Sequence, residues 1–116
     1  MNKTQIAKTL HVMLSAFCEA NGQPAYDAWE DLKPEYVELL EGAIDLVSIK
    51  CAVGDSLTPS DIHDYWMEWA KTHKSDHNCI VPFDELSPLE KAKDALIISI
   101  IVELLINFPL IILTNS

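Results

Sequence analysis

Glycine is scarce in this chain: three residues in 116. So few argue against a loop-rich or all-β architecture, whose turns depend on glycine. Basic residues are also few. Eight lysines and arginines stand against eighteen acids, a net charge of −10. A free nucleic-acid binder is usually basic, so direct contact with nucleic acid or with an anionic membrane is not expected. The cysteines, Cys18, Cys51 and Cys79, are odd in number and widely spaced. They make no disulfide framework and suit a reducing cytosol, with Cys79 an inert thiol. The opening Met1-Asn2-Lys3-Thr4-Gln5 leads into an amphipathic pattern, not an apolar leader, so a cytoplasmic protein is expected. No nucleophile–base pair and no phosphate loop can be read, which points to binding and not to an enzyme.

What is there is helical. At 116 residues the chain reads as one domain, 1–116, large enough to bury a core without disulfides or metal. Ile6, Leu10, Met13, Leu14 and Phe17 share one helical face from about Asn2 to Ala20, and Asn21-Gly22 is a natural stop. A loop from Gln23 to Lys33 follows. Pro34 opens a second helix, in which Tyr36, Leu39, Leu40, Ala43, Ile44 and Val47 repeat at helical spacing; Gly54 ends it. Thr58-Pro59-Ser60-Asp61 is a helix start, followed by the stripe Ile62, Tyr65, Trp66 and Trp69. Ser87-Pro88-Leu89-Glu90 is a second such start, with Glu90 expected to complete a capping box. That fourth helix runs to about Asn107, before Pro109. Between helices three and four, Asn78–Phe83 is too apolar for a free loop and reads as extended. The fold class is therefore mainly α: a compact bundle of about four helices with a short extended segment between the last two.

Two blocks in the second half resemble the ryanodine-receptor (RyR) repeat family. Ile62-His63-Asp64-Tyr65-Trp66 resembles that family's Val/Ile-His-Glu-x-Trp helix. His77-Asn78-Cys79-Ile80-Val81-Pro82-Phe83-Asp84-Glu85-Leu86-Ser87 resembles its His-Pro-Cys segment, and Lys91-Ala92-Lys93-Asp94 the end of that block in small stand-alone members. With weaker upstream matches the similarity spans about Ile6 to Leu105. The chain departs from the pattern in two places. Ala70–Asp76 stands where the family carries Gly-Trp-x-Tyr-Gly, and Asn78 replaces a proline. The resemblance implies a mostly helical, non-catalytic module that holds a nucleotide-type ligand in a cleft lined by the helix tryptophan, here Trp66. Small members occur in phages, which implies a sponge for a nucleotide-derived host defence signal, an ADP-ribose-type molecule or a cyclic nucleotide.

The candidate ligand-binding residues are Trp66, His63, Tyr65, His77, Lys71 and Lys74. Trp66 has two readings, a stacking wall for a flat ring and a plain core residue. His63 is read more readily as bonding a backbone carbonyl in the Asn78–Phe83 segment than as a ligand contact, because a buried polar group must be paired. Lys71 and Lys74 stand on the bridging loop as donors for an anion. His63, His73, His77 and Cys79 lack the spacing of a zinc site, so no metal and no cofactor is expected. Glu35, Glu38, Glu41 and Asp45, with Asp27, Glu30 and Asp31, form an acidic surface. It is read first as a solvated face, and otherwise as a DNA-mimic-like inhibitor surface for a basic host protein. From 95 to 113 the chain is apolar on every side. A membrane span is set aside because Glu103, Asn107 and Pro109 interrupt it. The expected explanation is a homo-oligomer, with one face on the other helices and the other on a second subunit.

Overall fold

The computed structural model describes residues 1–108. Its four helices are α1 (Lys3–Ala20), α2 (Pro34–Ala52), α3 (Pro59–His73) and α4 (Pro88–Asn107), with 3-10 turns at Trp29–Asp31 and Phe83–Glu85. Among the described residues there is no strand, so the expected mainly α, four-helix architecture is what the chain adopts. The expected stop at Pro109 and the tail to 113 lie outside the described residues.

The helix boundaries follow from local chemistry. Asn2 caps α1 by accepting from the Gln5 amide at 2.8 Å, and the Gln5 side chain returns to the Asn2 amide at 2.8 Å. α1 ends where Gly22 adopts φ +77°, which lets the Gln23 amide reach back to the Cys18 carbonyl. Gly54, at φ +76°, does the same for α2. Thr58 and Asp61 form a complete capping box on α3. On α4 the box is half made. Ser87 accepts from the Glu90 amide at 3.2 Å, but the Glu90 carboxylate pairs with Lys93 at 3.1 Å instead of returning. A charge-assisted partner one turn ahead outcompetes the neutral amide behind it.

α1 and α2 run antiparallel, tied on the outside by Lys3–Asp45 at 3.1 Å and by the Thr4 hydroxyl donating to Glu41 at 2.9 Å. Two of the four acids on the α2 face are thus turned onto α1. The core joins Ile6, Leu10 and Leu14 of α1 to Ala43, Ile44 and Val47 of α2, Ile62 of α3, and Ile100 and Ile101 of α4. Each fully buried aliphatic among them contributes about 1.5–3 kcal/mol. Met13, expected on this face, is turned to solvent, and His11 is buried in its stead.

α4 packs against all three other helices. That arrangement covers much of the apolar surface of α4 within its own chain. Leu96, Ile97, Ile98, Val102, Leu104 and Leu105 all pack on the core of their own chain. A helix apolar all round is here the hub of the bundle; the large apolar residues it leaves exposed are Ile106 and Phe108, at its end. No helix of the described residues is long and apolar enough to cross a membrane.

The α3–α4 connection is more folded than an extended segment. The His77 amide bonds Lys74 and the Ile80 amide bonds His77, making two successive turns. Extended backbone is found at Pro82, with ψ 148°, just before the 3-10 turn.

Candidate functional site

A cleft of about 870 Å³ opens between the second half of α1, the 23–33 loop, the first halves of α2 and α4, α3, and the 77–87 connection. That volume suits a drug-sized or nucleotide-sized ligand. The two loops are held against the helices there by two buried histidines. His11 Nε2 donates to the Asp27 carbonyl at 2.7 Å, and His63 Nε2 donates to the Val81 carbonyl at 2.6 Å. A carbonyl can only accept, so both rings carry a proton on Nε2. The His63 bond is the one expected from its sequence position.

α3 supplies much of one wall. Trp66 is half-buried, stacked on His63 at 5.8 Å between centroids and 19° between planes, with His77 edge-on at 5.0 Å. His77 is oriented by its own loop: its Nδ1 accepts from the Cys79 amide at 3.0 Å. The Tyr65 hydroxyl is not free for a ligand. It donates to the Leu39 carbonyl of α2 at 2.7 Å, and burial pushes its pKa up. The crossing is close enough that a Cβ at Gly42 would collide with that hydroxyl, which is why a glycine sits inside α2. Across the cleft stand Tyr26 and Tyr36, and Lys33, Lys74 and Lys93 also line it, Lys93 with its side chain largely buried. Lys74 lies 4.9 Å over the Tyr36 ring.

Of the six residues expected from sequence, Trp66, His63, Tyr65, His77 and Lys74 line this one cleft. Lys71 does not. It faces a shallower depression with Asp64, Met67 and Phe83, and pairs with Glu68 at 3.3 Å. Five positions beyond Trp66 on a helix lies the wrong side of the cylinder, so its placement in the site is corrected. The expected position of the pocket also shifts. The large cleft lies on the α1/α2 side of α3, and only the shallow depression lies squarely between α3 and residues 80–84.

The contributors that sequence reasoning missed are His11, Tyr26, Tyr36, Lys33, Lys93 and Asp94. His11 carried a signal: a polar residue between Leu10 and Leu14 on the apolar stripe of α1. Asp94 carried none. Its side chain is 13% exposed, 3.9 Å from His63 Nδ1. Burial pushes its pKa up to about 6, although His63 and Lys93 pull the other way. Burial, and then Glu90, push the Cys79 thiol up as well, so it is a poor nucleophile. Tyr26 is also raised, by burial and by its contact with Cys18. Among the described residues no three His, Cys, Asp or Glu side chains converge where a metal ion could sit.

Comparison with known proteins is narrow in what it yields. No curated protein and no solved structure matches the chain. One family does, over residues 25–104, a stretch that holds the 3-10 turn at Trp29, all of α2 and α3, and most of α4. The chain belongs to that family, the domain of unknown function DUF7701.

Proposed function

We propose that this domain binds a small, planar, nucleotide-type ligand without transforming it. The observation that carries the reading is the cleft itself: about 870 Å³, walled by Tyr26, Tyr36, Trp66, His63 and His77. A flat ring stacked on such a surface gains about 1–3 kcal/mol per aromatic contact. The lining groups are tied up in holding the walls together. The two buried histidines are committed to backbone carbonyls, and the nearby thiol is raised, so the site is built to hold more than to react. The resemblance to RyR repeats supports the same reading, with Trp66 in the role of the cleft tryptophan. In a phage setting such a protein is a sponge for a nucleotide-derived host signal.

The test is a thermal-shift screen of the chain against ADP-ribose, adenine nucleotides and cyclic nucleotides. Binding raises the melting temperature by mass action, worth about 2.7 kcal/mol at a hundred times Kd. Trp66→Ala should abolish the shift while helical circular dichroism stays intact, and Trp66→Phe should restore part of it. A wild-type protein that answers to none of these ligands sinks the reading. A salt-sensitive complex with a basic protein would favour an acidic inhibitor instead. Self-association through α4 is part of the proposal, now confined to the end carrying Ile106 and Phe108. Light scattering that gives a 13.0 kDa particle removes it.

A further inference from the structure

Among the acids that line the cleft, Asp94 is the one whose carboxylate is mostly buried while no donor of the described residues bonds it. Asp94 sits early in α4 with its side chain 13% exposed. Its environment consists of burial and neighbouring charges, with no hydrogen bond. His63 Nδ1 stands 3.9 Å from Asp94 Oδ2, beyond hydrogen-bond reach. His63 is kept from closing the gap by its bond to the Val81 carbonyl and its stacking on Trp66. The carboxylate is mostly but not fully buried, and its oxygens are not among the side-chain atoms closed off from solvent, so a donor from outside can reach a group whose charged form burial disfavours. Its position in the cleft suggests a donor that comes from outside the chain.

We infer that Asp94 is the specificity-determining contact of the cleft, accepting hydrogen bonds from the amino or amidine edge of an aromatic ligand, so that the ring enters and any phosphate stays at the mouth. The inference rests on the ligand-binding reading above and sets the ligand's orientation within it. Charge supports that orientation. An anionic group deep in the cleft would meet Asp94 and Glu90, and Lys93 is already held by Glu90 at 3.1 Å. Lys74 is drawn over the Tyr36 ring. The sequence contains no arginine, the residue best shaped to clamp a phosphate in two places. A nitrogen-bearing ring edge meets an acceptor instead, beside aromatic surface.

The groups that act on Asp94 are His63 on α3, Glu90 and Lys93 on α4, and Cys79 on the connection. With Asp94 pushed up to about 6, its carboxylate is ionised at pH 7.5 and mostly protonated at pH 5. An amidinium ligand should therefore bind about tenfold more weakly at pH 5, where about a tenth of the carboxylate is ionised.

The experiment is calorimetric titration of the full chain with benzamidine, benzoate, adenosine and ADP. Benzamidine should bind and benzoate should not. Adenosine should bind within about threefold of ADP. Asp94→Asn, checked for an unchanged helical spectrum, should weaken benzamidine at least tenfold and flatten its pH profile. Benzoate binding as well as benzamidine, ADP binding tenfold more tightly than adenosine, or an unaffected Asp94→Asn protein would each overturn the inference. The two readings fail separately. Silence from adenosine and ADP beside Asp94-dependent benzamidine binding removes the nucleotide and keeps the Asp94 contact. Tight ADP binding with no preference for benzamidine does the reverse.

Discussion

Where α1 begins and α2 and α4 end, the interior is aliphatic: Ile6, Ile44, Val47, Ile100 and Ile101. The polar contacts there, Lys3–Asp45 and Thr4–Glu41, are on the outside. Where α1 ends and α2 and α4 begin, the same helices splay around a cleft that holds histidines, tyrosines, a tryptophan and a nearly buried carboxylate. The closed end gains its stability from area removed from water. The open end is held by directed bonds from buried rings to loop carbonyls, His11 to Asp27 and His63 to Val81. Polar groups are kept there at a cost to stability, which is the usual mark of a site shaped for something other than folding.

That contrast can be broken most directly by cutting into the closed end. Ile44→Ala, at a fully buried position, should lose about 2–5 kcal/mol, read from urea midpoints. A loss below about 1 kcal/mol would mean that the aliphatic end is not the stabilising half. The opposite sign is expected at the open end. Folding raises the Asp94 pKa from 3.8 to about 6, so the folded state binds the proton more tightly than the unfolded chain. The penalty for the ionised form is absent below about pH 4, grows between pH 4 and 6, and is complete above. Asp94→Asn should therefore stabilise by about 1–3 kcal/mol at pH 7.5, with the gain vanishing near pH 4. A destabilised Asn variant at neutral pH would show that the carboxylate is structural.

The seam between the two halves can be probed at Gly42. An added Cβ meets the Tyr65 hydroxyl, so Gly42→Ala should destabilise by about 1–2 kcal/mol, as overpacking does. In a Tyr65→Phe background the hydroxyl is gone and the nearest ring carbon lies 3.2 Å from the added Cβ, so the gain in helix propensity offsets the remaining contact and the same change should be close to neutral. Denaturation of the four proteins in the cycle reads the difference, and an equal cost of Gly42→Ala in both backgrounds would mean that the Tyr65 hydroxyl does not lie against Gly42. The smallest effect is expected at the α4 cap. With Glu90 committed to Lys93, Ser87→Ala removes a single bond and should cost about 0.5–1 kcal/mol. A larger loss would show that Glu90 returns to the cap in solution.

The helix starts were legible because they depend on neighbours within four residues, as at Thr58-Pro59-Ser60-Asp61 and Ser87-Pro88-Leu89-Glu90. The His63 bond was legible for another reason: a polar ring on an apolar stripe must find a partner, and the nearby Asn78–Phe83 segment offered carbonyls. Lys71 was misplaced through reading a loop where α3 continues to His73, which carries its side chain round to the far face. Tyr26, Tyr36 and Asp94 come to the cleft from three separate elements, and nothing in their own neighbourhoods says that they meet.

By itself the sequence determined four helices, their caps, an aliphatic stripe on each of the first two, and a histidine that had to bond a backbone carbonyl. These rest on short-range sterics, on hydrogen bonds within one or two turns, and on helical periodicity. Only the tertiary structure decided that α4 is the hub of the bundle, that His11 lies inward and Met13 outward, and that Asp94 faces the cleft without a donor. Those outcomes depend on which faces meet across the bundle, and packing settles them for all four helices at once.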